Sequence, residues 1–262
     1  MIEVIKSVDD LARQKYDLFV PTMGALHAGH QSLIKLAKEK SDQVLVSIFV
    51  NPLQFENKDD LAKYPKTLEA DLKLAELAGA AAVFAPSYED IYPGEITKIE
   101  AGAIGDLYEG KSRGDHFSGV LTVVKRLFDL TRPAAAIFGE KDFQQLFLIK
   151  QMVKQLNLPI EIIAAPIIRE VDGLAMSSRN VRLDEGGRKS ALIISKALNK
   201  DSISDMHEVL ATEPGFTLDY LEVIDEETFL PATVNTKNKR AIIAGWVNGV
   251  RLLDNKRMGS SL

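Results

Sequence analysis

Hydrophobic residues along this chain fall into two recurring patterns. Short continuous apolar runs occur at Leu18-Phe19-Val20, Val44 to Val50, Ala81 to Ala85, Ala134 to Phe138 and Ile160 to Ala165. Between them lie longer segments in which apolar residues return every three or four positions. The runs predict strands covered on both faces, and the longer spacing predicts amphipathic helices. Helices are predicted from Ser7 to about residue 15, with Asp9 and Asp10 in the first turn, and around Leu33, Ile34 and Ala37, which sit among Lys35, Lys38 and Lys40. Others run from Leu68 to Leu77 before Gly79, from about Ser118 to Leu130, and from beyond Gln145 to Leu156. Strand and helix in alternation imply right-handed crossovers and a doubly wound parallel sheet, a Rossmann-like α/β fold.

Polar stretches interrupt this pattern. Asn51-Pro52 is a turn signal after the second run. The segment Gln54 to Thr67, with Asp59-Asp60 and Tyr64-Pro65, and the looser stretch from Tyr88 to His116 read as excursions from the sheet. Beyond Pro166 the pattern changes. Asp172-Gly173 is a turn, Ala175 to Asn180 is small and polar, and helices are predicted around Gly187 to Leu198 and Ser204 to Leu210. Leu218 to Ile224, Arg240 to Val247 and Val250 to Leu253 read as strands, with Asn248-Gly249 suited to a hairpin turn. We therefore expect an α/β domain over residues 1–168 and a smaller α+β domain over 169–262.

Composition narrows the chemistry. The 262 residues carry a net charge of −5, so bulk attraction to nucleic acid or an anionic membrane is not expected. There is no cysteine, which removes disulfides, thiolate metal sites and cysteine nucleophiles. No apolar run approaches the length of a membrane span, and the N-terminus lacks a long apolar stretch, so a cytoplasmic location is the expectation.

Candidate chemistry centres on Met23-Gly24-Ala25-Leu26-His27-Ala28-Gly29-His30, between the first strong strand and its helix. Two of the chain's four histidines lie here, three residues apart, and are expected to share a face of the first helical turn. A helix N-terminus favours phosphate, and imidazoles beside it suit charge that develops on a phosphate. This His-x-Gly-His resembles the signature of the nucleotidyltransferase superfamily. Met176-Ser177-Ser178-Arg179 resembles that superfamily's flexible cationic loop, whose hydroxyls and guanidinium suit a phosphate clamp. Gly139-Glu140-Lys141-Asp142 sits at a strand's carboxyl end, where such sheets bind ligands. There Lys141 can neutralise an anion and Asp142 can accept from ribose hydroxyls. Gln54 and Gln145 can hydrogen-bond a carboxylate or hydroxyl.

The resemblance then narrows. Pro21 to Gly24 with His27 to His30, Ser47 to Phe55, Tyr64-Pro65, His116-Phe117, Phe138 to Gln145 and Asp172 to Asn180 resemble, in this order, the pantothenate synthetase family. The likeness is dense over about residues 20 to 185. It resumes at Arg240 to Lys256 with Leu252-Leu253-Asp254-Asn255. It implies that ATP and (R)-pantoate form a pantoyl adenylate and pyrophosphate, and that the amine of β-alanine then displaces AMP to give pantothenate. Mg²⁺ is implied alongside ATP, and a homodimer is implied for the assembly. By position, the resemblance makes His27, His30 and Lys141 the catalytic groups, with His30 a proton donor. The ATP site becomes Met23 to His30, Gly139 to Asp142, Ile168 through its backbone, and Met176 to Arg179; no residue is assigned as a metal ligand. Pantoate falls to Gln54 and Gln145, with Gln54 also near β-alanine. The segment from about Lys196 to Phe216 looks shorter than is usual in the family and is expected to hold less helix. Two other readings remain open: transfer of a nucleotide to a phosphorylated acceptor, and a nucleotide-binding regulatory module without turnover.

Overall fold

Five of the expected strands and one further segment pair into a single parallel sheet. The strands are β1 (Glu3–Ile5), β2 (Leu18–Thr22), β3 (Val44–Ile48), β4 (Ala82–Phe84), β5 (Ala135–Gly139) and β6 (Glu161–Ala165), in the order β1-β4-β3-β2-β5-β6. This computed structural model describes residues 2–56, 61–62 and 64–259; the Asp59-Asp60 pair lies outside the described residues. Those residues form two compact units. Those within Met1–Glu140 and Gln144–Pro166 make up one; those within Ile167–Leu262, with the detached segment Lys141–Phe143, make up the other.

In the first unit, strand alternation sends side chains to two cores. Val20, Val44, Val46, Val83 and Ile137 pack with Ile34 and Ala37 of the helix Ala28–Lys38 and with Ala75 and Ala78 of the helix Leu68–Ala78. On the opposite parity, Phe19 and Phe138 meet Phe128 of the helix His116–Thr131 edge-on, at 6.3 and 6.4 Å between ring centroids. Burial on both faces is why these strands read as unbroken apolar runs.

The sheet opens at one place. Leu18 donates to Gln43 and Thr22 accepts from Phe49, so residues 18, 20 and 22 bond toward β3. Residues 19 and 21 therefore face β5, and Pro21 has no N–H to offer. The β2–β5 register ends at Phe19↔Ala136, while β2–β3 continues to Thr22↔Ile48 and β5 continues to Gly139 against β6 alone. The ladder thus ends between the carboxyl ends of β2 and β5, where the strand order reverses and α/β sheets place their ligands.

Local differences from the sequence expectation have simple causes. The first helix is only Val8–Leu11, capped by Ser7; beyond it the Tyr16 hydroxyl donates to Gln14. β1 has three residues, too few to register as a run. The 88–116 excursion holds the short helices Tyr88–Ile91, Gly102–Gly105 and Glu109–Arg113. Gly119 permits close approach of the long helix to the turn at Pro52–Gln54, since a Cβ there would lie 2.2 Å from the Leu53 carbonyl oxygen.

The second unit is an antiparallel meander with two helices. Its strands are β7 (Thr217–Asp225), β8 (Lys239–Val247) and β9 (Val250–Arg257). Asn248 and Gly249 both take positive φ, as a tight hairpin requires. Ile194, Ala197 and Leu198 of the helix Glu185–Leu198, with Met206 and Leu210 of the helix Ile203–Ala211, cover Ala241, Ile243 and Leu252.

Two acidic clusters tie this unit together. Burial would raise the Glu226 carboxyl, but hydrogen bonds from Arg257 and Arg240 outweigh it and hold the group below its ordinary 4.5. At Glu170, burial is likewise outweighed by hydrogen bonds from Arg188 and Asn180. A carboxyl depressed on folding stabilises the protein above its unfolded value, and that contribution is lost as pH falls through the folded value. Acidification below 4.5 is therefore expected to loosen the second unit, with Glu226→Gln reducing the pH dependence. The chain's single tryptophan, Trp246, lies on β8 and reports this unit by its emission. A Glu226→Gln titration superimposable on that of the native chain would show that the ion pairs carry no acid sensitivity.

Candidate active site

The turn after β2 is held from beneath by a carboxylate. Gly24 and Ala25 take φ of +82° and +50°, and the next two peptides present their N–H groups to one side chain. Ala25 N–H donates to Asp71 Oδ2 at 3.0 Å and Leu26 N–H donates to Oδ1 at 2.7 Å. The Thr67 hydroxyl also donates to Asp71 Oδ2, at 3.1 Å. Asp71 is 2% exposed, so these bonds compensate a buried charge. A Cβ at Gly24 would stand 3.0 Å from Asp71 Oδ2 and 3.2 Å from Ile48, on a backbone that disfavours any side chain. The sequence reading missed Asp71. Its signal was there: positions 71, 75 and 78 form one stripe of the helix Leu68–Ala78, buried throughout and carrying a carboxylate.

The histidines do not both lie within the first helical turn. His27 is the N-cap and His30 is the third helical residue. Gly29 N–H donates to His27 Nδ1 at 3.1 Å, and His27 N–H donates to His30 Nδ1 at 3.3 Å. The pair thus performs the reciprocal service that Ser and Glu give in a capping box. Their ring centroids are 4.1 Å apart. A nitrogen that accepts carries no proton, so each neutral ring holds its proton on Nε2. Both histidines are therefore Nε2–H donors at the carboxyl end of β2.

Gln54 is buried 31 residues further on, yet belongs to the same turn, because its Nε2 donates to Met23 Sδ at 3.0 Å. Its orientation is imposed by neighbours. The Tyr92 hydroxyl and Leu53 N–H donate to Asn51 Oδ1, which turns Asn51 Nδ2 toward Gly119 O and Gln54 Oε1. Burial, with Tyr88 adding to it, pushes the Tyr92 hydroxyl well above its usual range, so it stays a donor. His116 Nδ1–H donates to the Gln54 carbonyl at 2.9 Å. Gln54 accordingly directs its amide N–H groups, not its oxygen, toward Met23. Gln145 is half-buried on the helix Phe143–Gln155. Its neighbour Gln144 is buried and tied to Ile104, Leu107 and Glu109 backbone groups. Gly139 ends β5, and Glu140 follows it.

The remaining expected site residues fall in the second unit. Met176 N–H donates to the Ile168 carbonyl, and Arg169 bridges to Ala175, so residues 168–176 form a small hairpin rather than an open linker. It delivers the loop Met176 to Arg179, within which Ser177 Oγ accepts from Arg179 N–H at 3.2 Å. Ser178 is half-buried beside it. Lys141, Ser177, Arg179 and Asp254 line one pocket of this unit, with Leu252 behind them. Lys141 Nζ also lies 3.5 Å from Asp142. No group of three His, Cys, Asp or Glu side chains among the described residues is arranged to hold a metal ion.

Comparison with known proteins agrees over nearly the whole chain. The family model for pantoate-beta-alanine ligase matches residues 1–257. A pantothenate synthetase of Chlorobium phaeovibrioides is 45% identical over 252 residues, covering 90% of this chain and 86% of that protein. One from Nocardia farcinica is 47% identical, covering 90% and 77%. Among solved structures, pantothenate synthetase from Thermus thermophilus superposes with a TM-score of 0.94 at 40% identity, covering 97% of this chain and 99% of that one. The Francisella tularensis pantoate-beta-alanine ligase, complexed with beta-gamma ATP and beta-alanine, gives 0.84 at 37% identity, covering 98% of each chain.

Proposed function

The chain belongs to the pantoate-beta-alanine ligase family, ATP-dependent enzymes that join pantoate to β-alanine, and we propose that its chemistry runs through His27, His30, Lys141, Gln54 and Gln145. The reaction has two steps. A pantoate carboxylate oxygen attacks the α-phosphorus of ATP, and the bond to the bridging oxygen of pyrophosphate breaks. The β-alanine amine then attacks the acyl carbon of the mixed anhydride, the acyl–oxygen bond breaks, AMP leaves, and the nitrogen gives up a proton to solvent.

Each assigned residue has a physical role in this scheme. Negative charge accumulates on the α-phosphate oxygens as the carboxylate approaches. Two Nε2–H donors held in place by their own backbone caps stabilise that charge without reorganising. His30 also donates an Nε2–H hydrogen bond to the departing pyrophosphate, which leaves as its anion. Met23 to His30, Gly139 to Asp142, Ile168 and Met176 to Arg179 hold the nucleotide, and Lys141 with Arg179 offsets triphosphate charge. Gln54 offers amide N–H groups to a pantoate oxygen, with Gln145 as the second amide; β-alanine approaches near Gln54. Mg²⁺ enters as the ATP complex, with phosphate oxygens and water as its main ligands. We further propose a homodimer, which the motif resemblance supports and light scattering tests, and a cytoplasmic location.

The observation that carries this reading is the capping of both histidine Nδ1 atoms by the Gly29 and His27 N–H groups. Its test separates the half-reactions. With ATP, Mg²⁺ and pantoate alone, the enzyme is expected to release up to one equivalent of pyrophosphate; AMP follows only when β-alanine is added. Pyrophosphate release that waits for β-alanine would sink the adenylate order. Transfer of the nucleotide to a phosphorylated acceptor would replace the reading altogether.

A further inference from the structure

We propose that Asn255 is the positioning residue for Lys141. The inference rests on the reading of Lys141 as a triphosphate-binding group. Asn255 lies on β9 and is 2% exposed. Its Nδ2 donates to the Lys141 carbonyl at 2.8 Å. The orientation of the amide is set from the other end, because Asn255 Oδ1 accepts from Arg240 Nη1 at 2.6 Å. Arg240, on the neighbouring strand, is itself fixed by Glu226 at 2.7 Å.

The same arginine grips the segment a second time. Its guanidinium carbon stands 3.9 Å over the Phe143 ring, which stacks on Phe229 at 6.0 Å between centroids. Phe229 is fully buried. The short segment Lys141–Phe143 is therefore held at its first carbonyl and at its last side chain. This explains why it belongs to the second unit although the chain on either side belongs to the first.

The residue before Asn255 serves the other half of the clamp. Asp254 receives Arg169 bidentately, at 2.6 and 3.0 Å, and Arg169 starts the hairpin that delivers Ser177 and Arg179. Asp254 Oδ1 also accepts Asn255 N–H at 2.7 Å. Two adjacent side chains of one strand thus place Lys141 and the serine loop in a common frame. The pocket lined by Lys141, Ser177, Arg179 and Asp254 is the outcome.

Asn255→Asp is the informative variant, because it keeps an acceptor for Arg240 but turns an oxygen toward the Lys141 carbonyl. Asn255→Ala is its companion, should the aspartate prevent folding. Each is made with Lys141 present and in a Lys141→Ala background, and pyrophosphate release is followed while Trp246 emission reports the fold. A displaced phosphate ligand costs on the order of tenfold or more in kcat. That loss is expected with Lys141 present and should shrink to under about twofold once Lys141 is alanine, since residues acting through one another are not additive. Equal losses in both backgrounds, or native turnover in both variants, would overturn the proposal. If Lys141→Ala alone turns over like the native enzyme, the reading of Lys141 itself fails, and the positioning role falls with it.

Discussion

Replacing His30 by alanine is expected to lower kcat for pyrophosphate release by about 100- to 1,000-fold, the usual cost of removing one donor from a developing oxyanion. The pantoate KM should change little, since the assigned pantoate ligands are Gln54 and Gln145. A stability loss of about 1 kcal/mol should accompany it, because the His27 N–H loses its cap. The two effects are separable. His30→Asn retains a short polar side chain suited to capping but has no imidazole Nε2–H, so it should recover part of the stability and little of the rate. Thermal melts and single-turnover kinetics on both variants decide the matter. Native turnover in His30→Ala would remove this histidine from the transition state and leave it only its helix cap.

Asp71→Asn is the second large effect. The carboxylate accepts both the Ala25 and the Leu26 N–H, whereas an amide can accept only one of them. Hydrogen bonds to a charged group contribute about 1.5–3 kcal/mol each, so Asp71→Asn should cost roughly that much, and Asp71→Ala more. The turn it releases is the proposed nucleotide cradle. The ATP KM is therefore expected to rise by about tenfold, with a smaller change for pantoate, because a slightly misplaced binding loop is expensive. Differential scanning calorimetry gives the first quantity and ATP titration the second. A destabilised Asp71→Asn with native ATP affinity would show that the carboxylate supports the fold and not the site.

The first unit was legible in the sequence because its strands are buried on both faces, which writes them as unbroken apolar runs. β1 escaped because three residues leave no pattern, and its place beside β4 depends on pairing rather than on local propensity. The histidine turn was legible: the two rings do stand side by side, and only the start of the helix, one residue after His27, differed from the expectation. Histidine is not a preferred cap, so nothing local announced that His27 would sit before the helix. Asp71 was readable in hindsight as a charge on a buried stripe, but which backbone it serves is set by a contact 45 and 46 residues away. Asn255 and Phe143 were the least legible. Asn255 appeared only as part of the C-terminal motif, and Phe143 only as part of the Phe138 to Gln145 motif. The link between the two runs through Arg240, and no spacing rule connects positions so far apart.

The detached segment also has a consequence for how the protein is made. The Asn255 that holds the Lys141 carbonyl is encoded 114 residues after it. At about 5–20 residues per second, the ribosome leaves that carbonyl waiting roughly 6–23 seconds for its partner, longer still allowing for the exit tunnel. Five of the six parallel strands precede Lys141 and only β6 follows it, so the sheet is made while Phe143 has no aromatic neighbour to receive it. The second unit is therefore complete only when the last strand of the chain has been made. A nascent chain stalled before Phe229 should carry an exposed phenylalanine beside a lysine, the kind of surface that holding chaperones bind.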